Sequence, residues 1–271
     1  MQNMTIFFKL LLHFLVIVFL TVSTQVGGVV YLLSLFLVKR KHTNYRLKRA
    51  VFFVAIYFLA NVLVVPIVAP LFGRAPIKKS TYLKAHTFFT VLMYRNYVTP
   101  EMNTALEGAA LRLHKKHPGI HISYLDANFP FLDKFPLLPH LSHNDGKKID
   151  LSLIYQDKHK QLTNKKRSIS GYGVFEGPKE KEYNQIEACK DRGKWQYDFP
   201  KYLTFGTINT ELSLSEVGTR DLIRALLAQP NAGKFFIEPH LKTRLSLRNS
   251  KIRYHGCQAV RHDDHIHFQL H

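Results

Sequence analysis

Near its end the chain reads Arg261-His262-Asp263-Asp264-His265-Ile266-His267-Phe268-Gln269-Leu270. The run Ile266–Leu270 is typical of a short β-strand. Residues two apart on a strand share a face, so the side chains of His265 and His267 can point at one metal ion or one water molecule. The stretch therefore predicts one half of a polar site.

A second polar cluster lies far upstream and reads Ser142-His143-Asn144-Asp145-Gly146-Lys147-Lys148-Ile149-Asp150. Gly146 permits a tight turn between His143 and Asp150, so a loop histidine and an aspartate at a strand start can converge on one point. With His267 they supply two imidazoles and one carboxylate. This donor set, with a fourth position left for water, is how a catalytic zinc site is built. Either half alone is a weak signal, because histidines on strands mostly satisfy hydrogen bonds.

The two motifs together, Ser-His-x-x-Gly-x-x-x-Asp followed by a late His-x-His strand, resemble the LAS-type zinc peptidases. The closest likeness is to the penicillin-insensitive murein endopeptidases and D-Ala-D-Ala metallopeptidases, and the murein group also ends in His-Asp-Asp-His-x-His, as residues 262–267 do here. The resemblance covers roughly residues 95–271. It implies a LAS or hedgehog-like metallopeptidase fold and Zn²⁺ bound by His143, Asp150 and His267.

The same resemblance implies roles for two further histidines. His265 matches the residue that orients or deprotonates the attacking water and steadies the oxyanion, and His262 matches another catalytic histidine near the metal. Position 148 is lysine where related carboxypeptidases carry a small residue, and their Glu-x-x-His motif is absent. These departures leave the substrate preference open.

Patterns elsewhere predict an α+β domain over residues 99–271, with a small, mostly antiparallel sheet and flanking helices. Thr99-Pro100-Glu101 is typical of a helix start, and Ser213-Leu214-Ser215-Glu216 fits a capping box. The predicted strands lie at 120–125, 149–155, 235–238, 251–254 and 266–270. Residues 156–202 are polar without a clear period and are predicted to be an insertion, while 74–98 is predicted to be a linker.

Residues 1–73 are apolar enough to predict a membrane anchor of two transmembrane helices, about 10–38 and 51–72. The loop 39–49 holds six Lys or Arg residues, which predicts a cytoplasmic position for it. Both ends of this hairpin would then lie outside, in a multi-pass protein of the bacterial inner membrane with its catalytic domain in the periplasm. The alternative is that the first segment is a cleaved signal peptide.

The net charge and the two cysteines indicate the surroundings of the protein. The net charge of +19 favours an anionic neighbour, and the absence of nucleic-acid-binding motifs favours a lipid bilayer or wall polymer over nucleic acid. Outside the cytoplasm Cys189 and Cys257 would form a disulfide, the alternative being two buried thiols.

The predicted function is a membrane-anchored zinc metallopeptidase that cuts peptidoglycan stem peptides or cross-links. The alternatives are a D,D- or L,D-carboxypeptidase of the same fold, or a non-catalytic module that binds the cell wall.

Overall fold

The structure is a computed structural model that describes residues 2–41 and 43–271, with side chains described from residue 6 onward. Its first part is helical, with α1 (Gln2–Thr24), α2 (Gly27–Leu37) and α3 (Tyr45–Leu59). The last of these continues through a π-helical turn (Ala60–Val64), α4 (Val65–Val68) and a 3₁₀ turn (Ala69–Phe72). Two of the described stretches, Ile6–Thr24 and Tyr45–Phe72, are long and apolar enough to cross a membrane.

The apolar run 10–38 is not one helix, as the sequence suggested, but two helices joined by a sharp reversal. Gln25 adopts a left-handed backbone conformation with φ +66° and so ends α1. The two helices then pack closely, because a Cβ on Gly28 would lie only 1.9 Å from Oγ1 of Thr21. Small residues permit such close approach between apolar helices. The prediction of a single spanning helix over 10–38 is therefore wrong.

The reversal also changes which end of the helical hairpin lies near the basic loop. Nδ1 of His13 is 2.8 Å from the hydroxyl of Tyr31, so α1 and α2 run antiparallel. A cavity lined by Lys9, Arg40 and Arg49, among others, lies between the first half of α1 and the described part of the basic loop. The beginning of α1 therefore lies near the basic loop. The single helix predicted over 10–38 would instead have placed the beginning of the chain and this loop at opposite ends of that helix.

The rest of the chain alternates short strands and helices, as the α+β prediction requires. Its strands are β1 (Ala75–Pro76), β2 (Leu83–Ala85), β3 (Tyr97–Val98), β4 (Ile122–Tyr124), β5 (Lys148–Ser152), β6 (Tyr155–Gln156), β7 (Leu162–Thr163), β8 (Ser213–Leu214), β9 (Ala232–Phe236), β10 (Ile252–Arg253) and β11 (His265–Leu270). Its α-helices are α5 (Phe88–Leu92), α6 (Pro100–Lys116), α7 (Gln185–Lys190), α8 (Glu216–Leu227) and α9 (Pro239–Arg244), and residues Trp195–Leu203 form a 3₁₀ helix.

The main sheet has six strands in the order β10-β9-β11-β5-β4-β2. Its three central pairings are antiparallel, and the pairings at both edges, β10 with β9 and β2 with β4, are parallel. The sheet is therefore mixed. Residues 74–98 are not a plain linker, because β2 forms an edge of this sheet.

Helices α6 and α8 pack against each other and share one buried apolar cluster with the strands of the main sheet. Thr99 caps α6 as predicted, since its hydroxyl accepts a hydrogen bond from the backbone N–H of Met102 at 3.3 Å. The cap of α8 is Ser215, which accepts from Gly218 at 3.1 Å, whereas Ser213 lies in β8. The predicted capping box therefore started two residues too early.

Strand alternation separates the core from the polar face of the sheet. Ile266 and Phe268 of β11 are fully buried in the apolar cluster, and the ring of Phe268 lies 4.7 Å from that of Phe235. His265 and His267, the alternate residues, project from the other face. The strand that completes the core therefore also carries the two histidines of the predicted site.

Lys166 is buried, and among the described residues its ammonium group donates only to the carbonyl oxygen of Leu153, at 3.3 Å. Burial lowers its pKa from 10.5 to about 7. Between these pH values the unfolded chain binds more protons than the folded one, so stability rises with pH across this window. We expect Lys166→Met to stabilise the fold at pH 7 by on the order of 4 kcal/mol.

This effect can be checked from thermal unfolding midpoints at pH 7 and pH 9. The wild type should gain about 2 kcal/mol from this group between those pH values, and Lys166→Met should lose that gain. The adjacent, exposed Lys165 provides the control, because Lys165→Met should leave the pH dependence unchanged. Equal pH slopes in wild type and Lys166→Met would contradict the prediction.

Candidate metal centre

The site lies on the polar face of the main sheet, where β11 and β5 are antiparallel neighbours. Their register places His267 directly opposite Asp150 and His265 opposite Ser152. Nδ1 of His267 lies 2.9 Å from Oδ1 of Asp150. On the same face, Nε2 of His265 lies 3.8 Å from Oδ2 of Asp150. Register alone thus brings the late histidine pair to the upstream aspartate.

His143 reaches the same point from the loop that leads into β5. Its Nδ1 is 2.8 Å from the carbonyl oxygen of Ala127, so Nε2 faces the site. Nε2 lies 3.1 Å from Nδ1 of His267 and 3.2 Å from Oδ1 of Asp150. One atom from each of these three residues therefore forms a triangle with sides of 2.9–3.2 Å. All three side chains are buried.

The triangle has the dimensions and the chemistry of a metal-binding group. A tetrahedral ion with bonds of about 2.0–2.1 Å holds its ligand atoms about 3.3 Å apart. When His143 donates through Nδ1 to Ala127, the Nε2 of its neutral ring is an acceptor, and the carboxylate oxygen of Asp150 is one as well. Buried acceptors that face each other at this distance are stabilised by a cation between them. A backbone carbonyl on the far nitrogen also fits the usual support of a ligand histidine.

His140 is a fourth member of the cluster, and the sequence prediction missed it. His140, His143 and Asp150 form a group whose ligand atoms could together hold a metal ion. Nδ1 of His140 lies 3.1 Å from Asp126 and 3.2 Å from Asp150. Among the described residues this buried nitrogen has no hydrogen bond of good geometry, which suits a ligand atom. The His-x-x-His spacing of residues 140 and 143 was the available signal.

Asp126 places a negative charge beside His140. Its carboxylate forms a two-pronged ion pair with Arg95, with bonds of 2.5 and 2.7 Å. Burial opposes ionisation, but the guanidinium of Arg95 outweighs it and holds the pKa of Asp126 below its ordinary value. The carboxylate that faces His140 is therefore anionic, and it lies 3.1 Å from Nδ1 of that ring.

His265 lies next to the triangle and is held by its own neighbour. Its Nδ1 is hydrogen bonded to Oδ1 of Asp264, whose other oxygen accepts from the backbone N–H of Gly173 at 2.6 Å. Burial disfavours the charged ring, but Asp264 and Asp150 outweigh it and raise the pKa of His265 to about 9. The ring is thus oriented with Nε2 towards Asp150.

His262, the other predicted catalytic histidine, lies beside the site without joining the triangle. Its ring centroid is 4.8 Å from that of His265 and 6.0 Å from that of His267. Burial and the neighbouring His265 hold its pKa well below the ordinary value. Its backbone N–H donates to Glu238 at 3.1 Å, which fixes the chain before β11. The structure therefore gives His262 ring contacts with the other site histidines.

The predicted insertion 156–202 contributes a side chain to the site, which the sequence did not indicate. The hydroxyl of Tyr172 donates to Oδ2 of Asp150 at 3.0 Å, and its ring centroid is 5.0 Å from that of His265. Gly171 and Gly173 flank it with φ of +89° and +79°. A Cβ on Gly173 would lie 2.5 Å from a backbone oxygen of Pro200. The two glycines thus permit the tight path that brings the tyrosine in.

A disulfide joins this insertion to the segment that precedes the histidine strand. Cys189 lies in α7 of the insertion and Cys257 lies shortly before His262, and the two are bonded. Of the two states that the sequence left open, the cysteines therefore adopt the oxidised one. The bridge closes a loop across 68 residues, which limits the freedom of both segments in the unfolded chain.

No protein-family model matches this chain, and a search of the curated proteins finds no match either. Support for a function therefore comes from the geometry of the site and from the spacing of its motifs.

Proposed function

We propose that this chain is a membrane-anchored zinc metallopeptidase with a LAS-type fold. It would hydrolyse peptide bonds in the stem peptides or cross-links of peptidoglycan. The observation that carries the proposal is the buried triangle formed by Nε2 of His143, Oδ1 of Asp150 and Nδ1 of His267, with sides of 2.9–3.2 Å. Two imidazoles and a carboxylate are the protein ligands of many catalytic zinc sites, in which water takes the fourth position.

When zinc is bound, it lowers the pKa of a coordinated water to about 7 and polarises a peptide carbonyl. His143, Asp150 and His267 would hold the ion and leave a fourth position for water, with Nδ1 of His140 lying beside Asp150. Asp264 and Asp150 favour a proton on His265, but a cation bound to Asp150 would offset their charge. The neutral ring would then accept the proton of the attacking water through Nε2 and later pass it to the leaving amine. Asp264 is a positioning residue, because it holds Nδ1 of that ring.

Tyr172 is the hydroxyl donor of the site. Its O–H points at Asp150, beside the ring of His265. Burial raises the pKa of this phenol well above its ordinary value, and the nearby Asp126 and Asp150 add to the effect, so it keeps its proton. A donor that stays protonated can stabilise the negative charge that develops on the carbonyl oxygen.

Tyr172→Phe should therefore lower kcat by a factor of about 10² and leave the zinc content unchanged, since one oxyanion donor contributes about that much. Steady-state kinetics and metal analysis of the same preparation check this. Tyr202→Phe is the matched control, because this tyrosine of the same insertion is exposed. Wild-type kcat in Tyr172→Phe would remove the tyrosine from the mechanism.

The proposed substrate requires the globular domain to lie outside the cytoplasm. The basic loop 39–49 supports this, because positively charged loops stay in the cytoplasm and Tyr45–Phe72 is long enough to carry the chain across. We expect alkaline phosphatase fused after His271 to be active and a fluorescent protein that folds only in the cytoplasm to be dark there. The opposite pattern would exclude peptidoglycan as the substrate.

The direct test of the function is digestion of purified peptidoglycan by the full-length chain in detergent, with products identified by mass. Loss of cross-linked dimers in favour of monomers is the result that we expect. The control variant is Asp145→Ala, which should retain the activity. Asp145 is an acidic residue near Asp150, but it pairs with Lys148 and lies outside the triangle. No release of any product by a zinc-loaded chain would overturn the proposal.

The same digestion separates the alternatives. Removal of a terminal D-alanine from single stems, with cross-links intact, would indicate a carboxypeptidase. Co-sedimentation with peptidoglycan without any cleavage would indicate a wall-binding module. The complete donor set and the oriented His265 favour an enzyme, because a binding module needs neither.

A further inference from the structure

The short helix α5 presents two adjacent aromatic side chains outwards. Phe88 and Phe89 are 68% and 66% exposed, although each is a large apolar side chain. The polar side chains of the same segment turn inwards: the buried Thr90 donates to the carbonyl oxygen of Leu125 at 2.9 Å, and Thr87 caps the helix. The outer surface of α5 is therefore apolar and without a partner in the described chain.

Helix α5 is attached to the middle of an apolar helix that is long enough to cross a membrane. Asn61, which lies near the middle of Tyr45–Phe72, donates to the carbonyl oxygens of Val91 and Leu92 at 3.0 and 3.3 Å. The hydroxyl of Tyr57 donates to the same Leu92 oxygen at 2.8 Å. Side chains of the long helix thus satisfy the carbonyls at the end of α5.

This pattern is what immersion in lipid demands. In hydrocarbon no water is present to satisfy a free carbonyl, so every backbone group needs a partner inside the protein. Phe58 and Val62, neighbours of Tyr57 and Asn61 on the long helix, are both 60% exposed. Lipid that surrounds these side chains would also surround α5.

The packing around α5 continues to the loop that carries two site histidines. Leu137 is buried in one apolar cluster with Ala60 and Val65 of the long helix. The next residues present Leu138 and Leu141, which are 52% and 56% exposed on either side of His140. Arg95, which follows α5 closely, donates to the carbonyl oxygen of Leu138 at 2.8 Å.

We propose that α5 is immersed in the acyl chains of the bilayer beside the long helix, and that Leu138 and Leu141 rest on the same lipid surface. The globular domain is then seated in the membrane and not merely tethered to it. The loop with His140 and His143 then lies at the bilayer surface, which places the site next to the membrane. This inference does not depend on the proposed hydrolysis.

The test uses fluorescence of the full-length chain in nanodiscs of phosphatidylcholine and phosphatidylglycerol, with and without brominated acyl chains. The chain has one tryptophan, Trp195, so Trp195→Phe gives a silent background. In that background Phe88→Trp, Phe89→Trp and Leu138→Trp each place a probe. The control is the native Trp195, which is 75% exposed and lies outside the cluster around the long helix.

We expect blue-shifted emission from the Phe88 and Phe89 probes and loss of at least half of it with brominated lipid, weaker quenching at position 138, and none at Trp195. Circular dichroism of each variant checks that it folds, and the two adjacent positions provide independent readings. Red-shifted, unquenched emission at both would place α5 in water. Blue-shifted, unquenched emission at both would place it against protein, such as a second copy of the chain. Either result overturns the proposal.

Discussion

His265→Ala should lower kcat by a factor of about 10²–10⁴, the usual contribution of a general base, while the chain keeps about one zinc ion. The physical reason is that His143, Asp150 and His267 form the triangle without His265. In the wild type, Nε2 of His265 lies 3.8 Å from Asp150. This distance is longer than the contacts within the triangle, yet short enough for His265 to reach a water molecule bound there. Steady-state kinetics and metal analysis of one preparation measure both quantities.

Asp264→Asn tests the same role through the orientation of the ring. The amide keeps the size of the carboxylate but removes the charge that holds the imidazole, so kcat should fall and zinc should stay. Loss of zinc in His265→Ala would make His265 a ligand and move the role of base to His262 or Asp264. Full activity in His265→Ala would remove it from the mechanism.

Asp150→Ala should lose both the metal and all measurable hydrolysis. Its carboxylate contacts Nδ1 of His140, Nε2 of His143 and Nδ1 of His267, at 2.9–3.2 Å. Removing the anion leaves three imidazoles without the negative charge that favours a cation among them. Zinc content and peptidoglycan cleavage of the purified full-length variant check the result.

The control for Asp150→Ala is Asp145→Ala, in the loop that leads into the same strand. Asp145 pairs with Lys148 and is partly exposed, outside the triangle. This variant should retain zinc and activity. If Asp150→Ala retained both, the metal would have to be held elsewhere. If Asp145→Ala lost both, the loss would reflect damage to the loop, not removal of a ligand.

The part of the site that sequence predicts well is the part that strand geometry fixes. His265 and His267 share a face because strand side chains alternate, and pairing with β5 brings Asp150 opposite His267. The turn before Asp150 depends on Gly146, which adopts a φ of +78°. These features follow from local rules, so a short motif is enough to indicate them.

The parts that the sequence did not predict depend on tertiary contacts. Tyr172 arrives from the insertion, which has no periodic pattern to place it, and only the glycines on either side hint at a special path. His140 lies in an irregular loop, and only the tertiary fold brings it beside the pair between Asp126 and Arg95. The reversal at Gln25 was hidden, because apolar composition is equally compatible with one long helix and with two short antiparallel ones.

The proposed hydrolysis requires His143, Asp150 and His267 to hold one zinc ion. Crystals of the full-length chain grown with zinc, measured just above and just below the zinc absorption edge, test it most directly. We expect one strong anomalous peak, present only above the edge, about 2 Å from Nε2 of His143, Oδ1 of Asp150 and Nδ1 of His267. No peak among these three atoms, or a single peak elsewhere on the chain, would contradict it.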